Sequence, residues 1–328
     1  MEKYYANKEN VLDILNKYGV AIIPNVLSLD ECDKMENDMW NYLEHISQEW
    51  ERPIVRDDTS TYVQIAKLYY DYENIALLIN FWLISHSDLC WKARENTKIV
   101  EIFANIWSVK QDELLVSFDG ASIQLPPEIT GFGFGNNKWF HTDQSYISSD
   151  LKYIQSWITA FDVNDGDATL SVLEKSNLFH KDFSENYEIN KSKNYSQLNE
   201  EQINFYINKG CKEVKITCPK GSLVLWDGRT IHYGVEASAD RVKPNIRCVV
   251  YLCYLPRSLS DEENLEKKRY AYNNLLATPH DPCKIVTLPM TPYSDIDINN
   301  ISTFIKPLEK YTLSKLGKKL AGFTDVDN

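Results

Sequence analysis

Along the first third of the chain, apolar residues recur at helical spacing. Val11, Leu12, Ile14, Leu15 and Tyr18 share one face, and Gly19 stands where a helix-ending residue belongs. Val20 to Ile23 reads as a short strand closed by Pro24. Ser28 and Glu31 fit a capping box, and Met35, Met39, Trp40, Leu43 and Ile46 mark the buried face of the helix it opens. Further helices are predicted over Tyr72–Ser85 and Thr97–Trp107, the latter with Ile99, Ile102, Phe103 and Ile106 on one side. From Leu114 the texture changes to short β-rich runs: Leu114–Phe118, Ser122–Leu125, Lys138–His141, Tyr153–Phe161, Thr169–Leu173, Glu213–Thr217, Ser222–Trp226 and Arg247–Leu255. Such spacing predicts an antiparallel sandwich or barrel. The polar stretch Asn177–Phe205 interrupts it and reads as a surface insertion in preference to a lid. After Pro256 helical texture returns over Asp261–Leu276.

The expected class is therefore mainly β with flanking α. One domain is expected over 1–328: a mostly helical part over 1–110, a β core over 111–257 and a helical part over 258–328, since no linker separates them.

Hydrophobic residues make up 43% and charged residues 25%, which fits a folded globular chain. The net charge of −12 repels phosphate backbones and disfavours a nucleic-acid partner. Lys267-Lys268-Arg269 and Lys318-Lys319 read as solvated helix faces. Seven cysteines, odd in number and without a C-x-x-C pair, predict reduced thiols and a cytoplasmic protein. The apolar run Ile75–Ser85 is too short to span a bilayer, so no membrane association is expected. Nothing in the pattern sets an oligomeric state.

Of the six histidines, His141 carries the sharpest signal, because Asp143 follows two residues later at the end of a predicted strand. Residues i and i+2 share a strand face, about 7 Å apart by backbone rise. His232, after the turn Asp227-Gly228, is the third candidate. Two histidines and one carboxylate form the facial triad of non-haem iron(II) and leave coordination positions open. The plainer alternative is that His141 and Asp143 only hydrogen-bond each other. Arg247 opens an apolar strand, where a buried guanidinium calls for an anionic partner unless its head reaches solvent. Gln155 and Trp157 share a strand face by parity. His280, in a turn bounded by Pro279 and Pro282, is expected to be an ordinary loop histidine. The G-x-G-x-G run Gly131–Gly135 precedes a strand rather than a helix, so it reads as a loop beside the site and not as a nucleotide cradle.

These segments resemble the phytanoyl-CoA dioxygenase family of iron(II)/2-oxoglutarate oxygenases. The likeness covers about residues 15–257. It lies in Gly19-Val20-Ala21-Ile22-Ile23-Pro24, in His141-Thr142-Asp143-Gln144-Ser145-Tyr146, in Ser156–Ala160, in Asp227–His232 and in Arg247. The resemblance implies a double-stranded β-helix core with helices packed outside. It implies Fe(II) on His141, Asp143 and His232, with Arg247 on the far carboxylate of 2-oxoglutarate and Trp157 lining that pocket; Gln155, on the same strand face as Trp157, is then expected to line it too. It also implies O2 as co-reactant, hydroxylation of a small-molecule substrate that the sequence does not identify, and succinate and CO2 as co-products. Gln144 and Tyr146 are candidate substrate contacts by proximity in sequence. Asp143 disfavours halogenation, which needs the carboxylate position empty.

The chain departs from the family pattern in three places. Leu125 stands where a cosubstrate-binding lysine can occur, with Ser122 and Gln124 as neighbouring substitutes. The His232-to-Arg247 stretch is long and contains a rival, Arg241. The usual P-G-S-H turn reads Glu174-Lys175-Ser176-Asn177. Two other classes therefore stay open: a non-enzymatic binding or regulatory protein of this fold, and a metal-dependent enzyme that does not use 2-oxoglutarate.

Overall fold

Two antiparallel sheets pack face to face, and the chain crosses between them repeatedly. The structure is a computed structural model and describes residues 1–69, 80–291 and 301–324. The larger sheet contains β1 (Val20–Ile23), β2 (Leu114–Val116), β3 (Ala121–Gln124), β5 (Ile154–Thr159), β9 (Leu223–Asp227) and β11 (Arg247–Pro256). The smaller contains β4 (His141–Thr142), β6 (Thr169–Glu174), β7 (Ser196–Gln197), β8 (Lys212–Lys215) and β10 (His232–Val235). Their orders are β1-β9-β5-β11-β2, with β3 also on β11, and β7-β4-β10-β6-β8. From β3 to β6 and again from β9 to β11, successive strands alternate between the sheets. That is the winding of a double-stranded β-helix, or jelly roll.

Strand parity sets what faces inward. Val20, Ile22, Trp157, Val224, Trp226 and Val249 of the larger sheet meet Leu170 and Val172 of the smaller one in a shared apolar cluster. The alternate residues Ala21, Ile23, Ile154, Ile158, Leu223, Leu225, Cys248 and Val250 face outward into a larger cluster with the helices. The large sheet is thus buried on both faces, which explains its near-continuous apolar runs.

The helices over Val11–Tyr18, Leu29–Ile46, Thr97–Trp107 and Glu262–Asn273 lie where the periodicity predicts. Helix α1 (Val11–Tyr18) ends at Gly19, whose φ of 79° is left-handed and whose N–H donates to Leu15. Helix α2 (Leu29–Ile46) opens on the Ser28–Glu31 capping box, an arrangement worth about 1 kcal/mol. Helices α3 (Asp88–Arg94) and α4 (Thr97–Trp107) follow, and α3, capped by Ser87, is short enough to escape the apolar pattern. The short α5 (Pro127–Thr130) precedes β4; α6 (His180–Asn186) and α7 (Glu200–Asn208) flank β7; α8 (Glu262–Asn273) and α9 (Lys315–Leu320) follow β11. Most of the expected helix Tyr72–Ser85 lies outside the described residues, and Ile84–His86 is a 3₁₀ turn. Among the described residues no helix is long and apolar enough to cross a membrane. All seven cysteines are free and buried.

Three expectations need correction. Lys138–Phe140 is not strand; the β-structure begins at His141. Asn177–Phe205 is not a mere surface insertion: it supplies α6, β7 and most of α7, and β7 pairs with β4, Gln197 opposite His141. Lys268 is not solvated. It is fully buried with Leu265 and Ala271 on the inner stripe of α8. Its ammonium donates to the Val116 carbonyl and sits 4.1 Å over the Phe118 ring.

Candidate metal centre

His232 on β10 pairs in register with His141 on β4. Directly opposed residues of an antiparallel pair are nearest neighbours on one face, so the two imidazoles meet, with ring centroids 4.4 Å apart. Asp143, two residues beyond His141, turns its carboxylate to the same place. Its Oδ2 lies 3.3 Å from His232 Nε2 and 3.7 Å from His141 Nε2. One donor atom from each residue lies within 4.8 Å of the others, a set able to hold a metal ion.

Both imidazoles are fixed in the ligating tautomer. His141 Nδ1 donates to the Trp139 carbonyl at 3.2 Å, and His232 Nδ1 to the Thr230 carbonyl at 2.9 Å. A carbonyl only accepts, so each Nδ1 carries the proton and each Nε2 keeps its lone pair for an ion. Thr230 is itself held, its Oγ1 donating to the Gly19 carbonyl at 2.8 Å. Gln155 donates to Asp143 Oδ2 at 2.8 Å, and Tyr153 donates through its hydroxyl to the Asp143 backbone carbonyl at 2.6 Å.

The protonation states agree. Burial holds His232 below the ordinary histidine value, with His141 adding to the effect against Asp143. Burial alone would raise the Asp143 carboxyl, but the two histidines and His280 hold it well below the usual range. A neutral imidazole and an ionised carboxylate are the forms that ligate a cation.

Arg247 lies on the inner face at the start of β11 and is 7% exposed. Its Nε donates to Ser122 Oγ at 3.1 Å and its Nη1 to the Ala168 carbonyl at 2.9 Å, and its guanidinium stands 5.7 Å from the Trp157 ring centre. Among the described residues no carboxylate pairs with it. Arg241, its rival in sequence, is committed to Glu128 at 2.6 Å and Asp167 at 3.0 Å. Among the described residues, the buried indole N–H groups of Trp157 and Trp226, both facing inward, have no hydrogen-bond partner. The interior therefore offers a cation and two unused donors, which suits an anionic ligand. Leu125 is buried and packs outward, Ser122 is engaged by Arg247, and Gln124 donates to the Gly133 carbonyl.

Gln144 and Tyr146 do not face the centre. Gln144 is wholly buried and clamps the following loop, donating to the Asp150 carbonyl and accepting from the Lys152 N–H. Tyr146 stacks on His180 at 4.2 Å within an outer cluster with Phe183 and Tyr206. Beyond β4, which ends at Thr142, the chain bends, and the Gln144 amide is committed to its own loop. Two aromatic neighbours were not expected. Trp139 stacks on His141 at 4.6 Å with planes 6° apart, and Tyr195, from the insertion, lies 5.0 Å from the same ring. A tryptophan two residues before the first ligand is a readable signal; Tyr195, within a polar stretch, is not. His280 is no ordinary loop residue either, for its ring packs 4.7 Å from Tyr153.

The sequence profile described as phytanoyl-CoA dioxygenase (PhyH) matches residues 15–243. The Ava biosynthesis cluster protein O of Aspergillus versicolor is 27% identical over 215 residues, 63% of this chain and 67% of that protein. Among solved structures, the GlcNAc-inducible gene 2 protein of Candida albicans superposes with a TM-score of 0.55 at 15% identity, over 96% of this chain and 80% of that one. A hypothetical protein of Escherichia coli reaches 0.57 at 13% identity, over 98% and 85%. At such identities the two structures speak to the fold alone.

Proposed function

Because the chain belongs to the phytanoyl-CoA dioxygenase family, we propose that it is an Fe(II)- and 2-oxoglutarate-dependent dioxygenase that hydroxylates a small organic molecule, with O2 consumed and succinate and CO2 released. The observation that carries this reading is the convergence of His141, Asp143 and His232 within 4.8 Å, joined by an Arg247 that has no carboxylate partner among the described residues. On this reading His141, Asp143 and His232 hold the metal. The guanidinium of Arg247 pairs with the distal carboxylate of 2-oxoglutarate, and Trp157 packs on it.

Bound iron with 2-oxoglutarate supplies the O2 activation and the oxidising power for a C–H bond. The chain's own residues do the rest. The Trp139 and Thr230 carbonyls hold each imidazole proton on Nδ1. Gln155 orients the Asp143 carboxylate. Ser122 and Ala168 aim the guanidinium, and the apolar walls of the two sheets exclude water from the interior. Residues 1–328 form one oxygenase domain on this account, supported by an outer apolar cluster that runs from Val11 to Ala321. The similarity to a protein of a biosynthesis cluster in Aspergillus versicolor supports a small-molecule substrate.

The reading is tested by supplying Fe(II), 2-oxoglutarate and O2 to the purified protein and measuring succinate. Slow substrate-free succinate formation, lost in Asp143→Ala, is the expected result. Succinate formation unchanged by that substitution contradicts the assignment.

A further inference from the structure

Past the segment matched by the family profile, the chain returns to the metal centre through residues 277–283. The His280 ring packs 4.7 Å from Tyr153, whose hydroxyl donates to the backbone carbonyl of Asp143. Among the described residues neither ring nitrogen of His280 has a hydrogen-bond partner. Asp119, in the turn between β2 and β3, is similarly free: one carboxylate oxygen accepts from Ser117 Oγ at 3.0 Å, and the other has no partner among the described residues. Both residues are partly buried. Burial pushes the Asp119 carboxyl up to about 6, and the strongest opposing influence is His280, so the two lie within electrostatic reach. The Asp143 carboxylate also feels His280.

The segment is held rigidly. Thr278 Oγ1 accepts from the Phe118 N–H at 3.0 Å, and the Thr278 N–H donates to the Phe118 carbonyl at 3.1 Å. This two-point clamp ties the segment to the turn that carries Asp119. Asp281 Oδ1 accepts from the N–H groups of Cys283 at 2.9 Å and Lys284 at 3.1 Å. Pro279 and Pro282 fix φ on either side of the His280-Asp281 pair. Among the described residues, an imidazole without a hydrogen-bond partner and a carboxylate with one oxygen unpaired, preset beside the metal centre, leave hydrogen-bonding capacity for a bound polar group.

We propose that His280 and Asp119 form the substrate-contacting edge of this centre and take a hydroxyl or ammonium group of the small-molecule substrate. The proposal rests on the metal-centre reading above. An imidazole offers one donor and one acceptor, and a carboxylate accepts, so the pair suits a group that donates hydrogen bonds better than an anion.

The test uses full-length protein with ¹⁵N-labelled histidine rings; with six histidines the ring spectrum is simple, and His280→Asn assigns the key signal. Co(II) is added first, then 2-aminoethanol, with acetate as the anionic comparison. The expected result is loss of the His141 and His232 ring signals as ligands, with a paramagnetic shift at His280. 2-Aminoethanol then moves the His280 signal saturably, acetate does not, and Asp119→Asn weakens 2-aminoethanol about tenfold, the loss of one hydrogen bond to a charged group. If His141 and His232 respond to Co(II) but 2-aminoethanol does not move the His280 signal, or acetate moves it equally, this inference is overturned and the metal-centre reading stands. If His141 and His232 are unmoved by Co(II), the metal-centre reading itself fails.

Discussion

The side-chain amide of Gln155 donates to the Asp143 carboxylate, Nε2 to Oδ2 at 2.8 Å, across the interior between the two sheets. That oxygen is also the one nearest both histidine Nε2 atoms. The amide fixes the rotation of the carboxylate that would face the ion. Gln155→Leu should keep the fold and weaken Fe(II) or Co(II) binding by about 10- to 100-fold, the usual effect of removing a ligand's supporting partner. Calorimetric metal titration reads this directly, and an unchanged affinity would show that Asp143 needs no such support.

Arg247 and Arg241 should separate cleanly. Arg247→Ala should weaken 2-oxoglutarate on the order of 30-fold or more, the least expected when one partner of a buried charge pair is removed. Metal affinity should stay unaltered. Arg241→Ala should instead loosen the Glu128 and Asp167 contacts and lower the melting temperature, with the 2-oxoglutarate requirement unchanged. The reverse pattern would transfer the anion role to Arg241.

Gly19 links the end of α1 to the metal ligands. A Cβ there would sit 2.5 Å from Thr230 Oγ1, on a residue whose φ is already 79°. Thr230 in turn holds the Nδ1 proton of His232. Gly19→Ala should cost at least about 1–2 kcal/mol of stability from the left-handed backbone alone and should also weaken metal binding. Gly210→Ala is the control: φ is +88° but nothing lies within 4 Å of the added carbon. It should show the backbone cost without the metal effect, as read by denaturant unfolding and metal titration on both variants.

Lys268 gives a pH signature unrelated to the metal. Burial lowers its pKa from 10.5 to about 7. Below about 7 it is charged in both folded and unfolded chains, and the folded state bears the full cost of the buried ammonium. As pH rises above 7 the folded chain releases a proton that the unfolded chain keeps until near 10.5, so this residue makes stability rise across that window. Lys268→Met should remove that rise, giving the larger gain in melting temperature at pH 6 and a smaller one at pH 9. A gain independent of pH would show that Lys268 does not titrate in this window.

Much of this arrangement was legible in the sequence because it depends on local rules. Ser28 with Glu31, the stripe from Val11 to Tyr18, and the short apolar runs of β5, β9 and β11 each encode their own geometry. Parity then placed His141 and Asp143 on one face, and Gln155 with Trp157. What escaped depends on long-range pairing. The strand β10 is only four residues long, contains Gly234, and has no apolar alternation to announce it; its register opposite β4 is what joins the histidines. Ser196-Gln197 becomes a strand only because β4 offers an open edge. Gln144 and Tyr146 follow the ligands in sequence but not in space, since the chain bends after Thr142 and carries them into an outer loop and the Phe183 cluster. Lys268 was readable after all, since it lies three residues from Leu265 and three from Ala271 on the stripe that α8 buries.

On the function proposed above, His141, Asp143, His232 and Arg247 together hold Fe(II) and 2-oxoglutarate. Anaerobic addition of both to the purified protein, followed by visible absorption, tests it most directly. The account predicts a weak charge-transfer band that needs metal and cosubstrate together, disappears in His141→Ala, and in Arg247→Ala requires far more 2-oxoglutarate. Iron binding without any such band, or a band indifferent to both substitutions, would contradict it.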